Sequence, residues 1–326
     1  METLVAAFDA QLEHALNLGK NFRCEPRLVD NVVLAGLGGS AFGGEVVKNM
    51  LYGKLKTPFV VSRGYDLPAW VGSRTLVMLS SYSGNTEETL SAAEIAHKTG
   101  AACVCVTHGG RLADFARDRR LPVFVLPAGF PPRAAVAYSI VAQLYVLKNF
   151  GLIAEDDFLP SLREALDVLR ERKVQSFALE CAAALHDRVP VVYAPDPYES
   201  VAVRFRQQIN ENAKMLCWHH VLPEMNHNEL VGWEHPKWLC EKTTTVFLRG
   251  ADEHPRHAPR FDFTREVVVR KGARTLELVA VGSTLPARLF YLIHVCDWIS
   301  VHLARLNGVE PTPVAVIDEL KSALAR

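Results

Sequence analysis

The sequence has no excess of either charge: 36 lysines and arginines face 36 aspartates and glutamates, for a formal net charge of zero. Nucleic-acid binders show a basic surplus, so that class is set aside. No Cys-x-x-Cys pair occurs, and the cysteines at 24, 103, 105, 181, 217, 240 and 296 are odd in number and scattered. A disulfide framework or a zinc knuckle needs regular spacing, so all seven are expected as reduced thiols of a cytoplasmic protein. Cys103 and Cys105 alternate in an apolar run, as on one face of a strand. There is no HExxH motif either. The run His219, His220, Glu224, His227 and Glu229 lacks helical or knuckle spacing, so no metal is expected. Long apolar runs are missing too: the longest stretch, Ala134 to Leu147, is broken by Ser139 and Gln143 and is too short to span a bilayer. The opening METLVAAFDAQLEHALNLG mixes acids with apolar residues, so no secretory signal is expected. The two halves look like diverged copies, each opening with a strand that leads into a helix, though no residue-level repeat proves duplication.

What is present is an ordinary globular balance, 326 residues with 49% hydrophobic and 22% charged, enough for two domains with separate cores. Short β-rich runs at Val32–Leu37, Pro58–Arg63, Thr75–Ser81, Cys103–His108 and Pro122–Pro127 alternate with helical stretches such as Glu45–Leu51 and Thr86–Lys98. That alternation implies βαβ units and a parallel sheet. A helix is expected over Arg133–Phe150, opened by Pro131 and Pro132, because proline suits a first turn whose N–H has no partner. Leu159 to Ala184 has helical spacing and reads as a bridge. Strands are then expected at Val189–Ala194, Thr244–Leu248 and Leu276–Val281, and helices at Ser200–Lys214, Ala287–Leu306 and Val314–Ala325. The apolar flanks of His219 and His220 also suggest a strand.

Two loops carry the chemical signal. After the first strand comes Gly36-Leu-Gly38-Gly39-Ser40-Ala41-Phe-Gly43-Gly44, where glycines let backbone approach a ligand at a helix start. Gly36-x-Gly38-x-x-Ala41 fits the dinucleotide fingerprint, yet the second strand ends in Ser62-Arg63 instead of the acid that would hold a ribose. Arginine could serve a 2′-phosphate, so that reading is demoted without being excluded. After the third strand comes Ser80-Ser81-Tyr82-Ser83-Gly84-Asn85-Thr86-Glu87-Glu88. Hydroxyls at 81, 83 and 86 around a turn glycine suit a phosphate monoester at a helix N-terminus. A capping box is the simpler alternative, but it needs one hydroxyl. Glu87 and Glu88 must point away from such a ligand.

These stretches resemble the sugar isomerase (SIS) domain proteins, in particular the bifunctional phosphoglucose/phosphomannose isomerase family. The resemblance is carried by GLGGSAFGG (36–44), SRGYDLP (62–68), SYSGNTEETL (81–90), PPR (131–133), NEN (210–212), PEMNHNELVGW (223–233) and PTPVAVIDELK (311–321). It implies an α/β fold of two tandem SIS-type doubly wound parallel-sheet domains: 1–152 with the phosphate loops, a helical bridge at 153–184, and 185–326 with the catalytic helix. It also implies an aldose–ketose isomerase acting on a phosphorylated hexose without cofactor or metal. Gly39, Ser40, Ser81, Ser83, Thr86 and Thr312 would bind substrate. Glu211 would be the base, Arg133 would sit over the reacting carbons, His227 would help open the ring and Lys321 would close the site. Family members are homodimers, and by the same analogy His227 would act in the partner's site. A non-catalytic SIS-domain regulator would keep the loops without needing the four catalytic side chains together.

The residues themselves bear on these roles. Arg204, Gln208 and Glu211 at i, i+4 and i+7 would share one face of a continuous helix. Asn210 and Asn212 are poor choices for a purely structural helix. Without the resemblance, Glu211 reads as a solvated helix-end acid and Lys321 as a surface lysine. A guanidinium at a helix N-terminus opposes the dipole, which favours a functional reading of Arg133. His227 is one of twelve histidines.

Overall fold

The computed structural model of the chain describes residues 1–324, which form two compact units. One is Ala6–Asp167; the other runs from Val168 onward and takes in Met1–Val5.

In the first unit β1 (Asn31–Ala35), β2 (Phe59–Ser62), β3 (Thr75–Ser80), β4 (Ala102–Thr107) and β5 (Val123–Val125) make a parallel sheet in the order β2-β1-β3-β4-β5. β3 and β4 are buried at every residue. Their runs LVML and ACVCV show no polar alternation because helices cover both faces. Cys103 and Cys105 lie in one core cluster with Ala92, Ala96, Leu112 and Phe115, on the single strand face their spacing implied. The helix Val136–Asn149 is buried almost throughout. Its two polar interruptions answer each other, with Gln143 Nε2 donating to Ser139 Oγ at 3.0 Å, so the polarity is partly matched inside the core.

In the second unit β6 (Val189–Pro195), β7 (Trp218–Leu222), β8 (Thr243–Arg249) and β9 (Arg274–Val279) are parallel in the order β7-β6-β8-β9. Counted from each unit's first strand, both sheets begin 2-1-3-4. The kinship that no residue-level repeat disclosed is thus visible as topology. The core element here is the helix Leu285–Leu306, long and apolar enough by length and composition to cross a membrane. It serves instead as a core helix, with 83% of its most apolar window buried and the helices Gln175–Leu185 and Glu199–Gln208 packed on it.

Several expected elements change form. The region Leu159–Ala184 is two helices, Leu159–Glu171 and Gln175–Leu185. Arg133 does not open the long helix but sits in a 3₁₀ turn, Pro132–Ala134, ahead of Val136. The helix expected over Ser200–Lys214 ends at Gln208 and widens into a π turn, Ile209–Ala213, closed by Lys214 at φ 58°. Helices Gly110–Asp118 and His257–Arg270 were not expected. The last helix is Ala315–Leu324; the expected end at Ala325 lies outside the described residues.

Candidate active site

The two hydroxyl-bearing loops follow β1 and β3, which are neighbours in the sheet. Successive connections leave β1 in opposite directions there, and this switch point is where doubly wound sheets place ligands. Helices Gly38–Met50 and Glu87–Lys98 start at these strand ends, and neither N-cap residue makes a side-chain cap hydrogen bond. Thr86 therefore does not form the capping box. Its hydroxyl lies 2.8 Å from that of Ser81, whose oxygen accepts from Gly84 N at 3.1 Å, while Ser83 Oγ accepts from Asn85 N at 3.3 Å. Ser40 and Ser81 are buried. Glu87 is exposed and takes a 3.4 Å hydrogen bond from Tyr65.

The loops close on one another through backbone. A β-carbon on Gly39 would lie 2.9 Å from Pro132 O, so only glycine allows this approach to the turn that carries Arg133. Gly84 has φ +71°, and a β-carbon there would meet Gly109 O at 1.8 Å. Tyr82 ties the loop to the segment ahead of that turn: its hydroxyl donates to Pro127 O at 2.7 Å and accepts from Phe130 N at 3.0 Å. Arg133 is itself buried. Ser40, Ser81, Ser83, Thr86, Gly39 and Arg133 thus belong to one constellation of the first unit. The open groove of about 520 Å³ between helices Glu87–Lys98 and Gly110–Asp118 holds none of them.

The remaining candidates are in the second unit. Of Arg204, Gln208 and Glu211, expected on one face, the first two share a buried carboxylate partner. Arg204 donates to Asp297 at 3.0 and 2.6 Å, and Gln208 donates to the same carboxylate at 3.0 Å, all buried. Glu211 lies in the π turn that follows, which has more residues per turn than an α-helix. Glu211 is half-buried. Its flanking asparagines fasten the turn: Asn210 Nδ2 donates to Met215 O at 2.7 Å and Asn212 Nδ2 to Ser300 Oγ at 2.9 Å. Lys214 Nζ donates to Glu211 O at 2.5 Å and to Pro313 O at 2.8 Å. That bond brings the turn to the segment with Thr312, whose hydroxyl accepts from the Met1 amino group at 3.2 Å. Lys321 is exposed on the last helix, 3.7 Å from Asp318.

His227 stands apart. It ends the 3₁₀ turn Glu224–His227 beyond the C-terminal end of β7 and is exposed. Glu211 precedes the start of β7, so the five residues of that strand, at about 3.3 Å each, lie between them. Within one unit the base candidate and the ring-opening candidate flank opposite ends of β7. Of the dense 219–229 run, the fold brings His220 and Glu229 together, Nδ1 to Oε2 at 3.0 Å. Among the described residues no group of three or more His, Cys, Asp or Glu is placed to hold a metal ion. His219 is held neutral, its pKa lowered to about 4 by burial and by Arg206 and His220. The seven cysteines are free thiols; burial pushes Cys105 up to about 12.

Residues 28–152 match the SIS domain family, and residues 175–324 match the bacterial phospho-glucose isomerase C-terminal SIS domain. The bifunctional phosphoglucose/phosphomannose isomerase of Caldicellulosiruptor bescii is 38% identical over 325 residues, 97% of this chain and 96% of that one. The chain belongs to the bifunctional phosphoglucose/phosphomannose isomerase family. A second member, from Aquifex aeolicus, is 34% identical over 298 residues, 90% of each chain. The fold recurs in the C-terminal domain of glucosamine-fructose-6-phosphate aminotransferase from Francisella tularensis, with a TM-score of 0.72 at 15% identity over 94% of this chain and 96% of that one.

Within this phosphoglucose/phosphomannose isomerase fold, three contributors escaped the sequence reading: Tyr82, Lys214 and Asp297. Tyr82 lay inside the SYSGNT motif, and its position there was the available signal. Asp297 is 93 residues from Arg204, and no local pattern marks such a pair.

Proposed function

We propose that the chain interconverts fructose 6-phosphate with glucose 6-phosphate and with mannose 6-phosphate, as a cytoplasmic homodimer and through an enediol intermediate. Membership of a family of sugar-phosphate isomerases supports the reaction class. The observation that carries the reading is the convergence of Ser40, Ser81, Ser83 and Thr86 at the β1–β3 switch point, beside two helix N-termini and the turn of Arg133. Hydroxyl and backbone donors at such a point suit a dianionic phosphate.

Roles for the other residues follow from the chemistry. Aldose–ketose isomerisation removes a carbon-bound proton and returns it to the adjacent carbon, which a half-buried carboxylate can do once placed. Glu211 takes the proton from C2 of the aldose and delivers it to C1. The negative charge that develops on the enediolate oxygen is met by Arg133, whose buried guanidinium needs no reorganisation. His227 of the partner subunit exchanges the proton that opens the ring, a task suited to imidazole near neutral pH. Lys321 and Thr312 close over the sugar. The phosphate, remote from the reacting carbons, supplies binding energy that holds C1 and C2 against the base. A coupled assay of the purified chain on fructose, glucose and mannose 6-phosphates, in buffer containing a chelator, is expected to show turnover; none on any of the three would overturn the proposal.

A further inference from the structure

We propose that Glu229 is a positioning residue for His227, acting through a hydrogen-bond chain that runs from Trp233 through Tyr193. The inference rests on the assignment of ring opening to His227.

The segment that presents His227 has no long element to hold it. It is two 3₁₀ turns, Glu224–His227 and Glu229–Gly232, meeting at Asn228. Short turns of this kind carry few ladder hydrogen bonds, so the direction of an exposed imidazole depends on side-chain anchors. Apolar anchors flank it: Met225 is fully buried and Trp233 nearly so, both in the cluster around Tyr193, Phe247 and Phe261. Asn226 Nδ2 donates to Thr264 Oγ1 at 2.9 Å, and Asn228 bridges its neighbours, donating to Glu224 at 2.8 Å and accepting from Glu229 N at 2.6 Å.

The polar anchor is less easily explained as packing. Trp233 Nε1 donates to the Tyr193 hydroxyl at 3.0 Å, and that hydroxyl lies 2.5 Å from Glu229 Oε1. An indole N–H can only donate, so the tyrosine oxygen must accept from it and pass its single proton toward Glu229. The chain therefore has one direction and ends on an acceptor, the Glu229 carboxyl oxygen. Tyr193 is in β6 and fully buried; burial and the adjacent Glu229 hold its hydroxyl protonated far above the usual range. The second carboxylate oxygen, Oε2, faces His220 Nδ1 on β7 at 3.0 Å without hydrogen-bond alignment, a charge contact when that ring carries two protons. Glu229, two residues past His227, thus pins the turn to two strands of the rigid sheet. Met225, two residues before it, is pinned by the core. Ring opening needs the imidazole within hydrogen-bond reach of the ring oxygens, and small displacements of such groups are costly to rate.

Ring opening and closing without carbon proton transfer exchanges the two anomers of glucose 6-phosphate. In a Glu211→Gln background isomerisation is blocked, so anomer exchange measured by NMR reports ring opening alone. The Glu229 side chain is 38% exposed, so its truncation opens no core cavity. Adding Glu229→Ala is expected to slow exchange about tenfold or more, with the glucose 6-phosphate Kd and the melting temperature unchanged. Glu229→Gln, whose amide oxygen still accepts from Tyr193, is expected to retain most of the rate. Exchange in the Glu229→Ala protein equal to that of Glu211→Gln alone would overturn the positioning and leave ring opening by His227 intact. A slowing that comes only with a lost melting temperature or weaker binding would also overturn it, as the mark of a structural role. Exchange in Glu211→Gln no faster than in buffer would instead remove the assignment of His227, and this inference with it.

Discussion

Two asparagines flank Glu211, and each is committed to the turn: Asn210 holds Met215 O and Asn212 holds Ser300 Oγ. Weak helix formers at these positions are explained once the chain leaves the α-helix there. With Lys214 clamping its carbonyl, Glu211 is carried on backbone fixed from both sides, as its proposed part in proton transfer would demand. Glu211→Gln keeps the volume and removes the base. Its kcat is expected to fall by about 10²-fold or more, while calorimetry should find phosphosugar affinity unchanged; near wild-type turnover would take Glu211 out of the mechanism. The residues alone gave only a helix-end acid at 211, and the family motif supplied its candidacy. Arg204 and Gln208 have a commitment that periodicity does not show. A buried guanidinium requires a carboxylate partner, and Asp297 supplies one from a distant helix, turning both side chains inward.

At the scale of elements, short connections position the chemistry and the long helices hold them. The phosphate-type constellation is three pieces of backbone in contact: the turn after β1, the loop after β3 and the Pro132–Ala134 turn. Gly39 sets the first of these contacts. In Gly39→Ala the new β-carbon would press on a peptide carbonyl at 2.9 Å, a group that cannot rotate away. Overpacking of this kind displaces backbone, here the Arg133 turn. KM for fructose 6-phosphate is expected to rise by about tenfold, with a smaller loss of melting temperature. A KM unchanged in steady-state assays would show that the loops do not hold the phosphate. The glycine motif was plain in the sequence, but its partner, Pro132 O, was not. β7 illustrates the converse: with Trp218 exposed and both histidines part-buried, its composition gave only a weak strand signal, and its register against β6 fixes it.

At the scale of the molecule, two units repeat one topology with divided labour. The first carries the hydroxyl loops and Arg133; the second carries Glu211, Thr312, His227 and Lys321. Glu211 and His227 lie at opposite ends of β7, and the family resemblance is what assigns His227 to the partner's site. The homodimer is then testable by complementation. On the proposed roles Glu211→Gln lacks the base and His227→Ala lacks the ring opener, so each homodimer is expected to be inactive. Random exchange makes about half of the dimers mixed, each with one intact site, and about a quarter of wild-type activity should return. No recovery after exchange of subunits has been demonstrated by native mass spectrometry would place His227 in its own subunit's site.

The sequence by itself determined the α/β class, the parallel strands of both units and the two hydroxyl loops. Each is written in local pattern: apolar runs of strand length, glycine and serine at helix starts, helical periodicity between them. It also placed Glu211, Arg133 and His227 through motifs. The tertiary structure alone decided that the helix before Glu211 widens into a π turn, that Arg204 and Gln208 face Asp297, and that Glu211 and His227 flank opposite ends of β7. It likewise made a core element of Leu285–Leu306. These outcomes depend on which distant group satisfies a buried charge or covers an apolar face, and a pattern of neighbouring residues holds no record of groups 90 positions away.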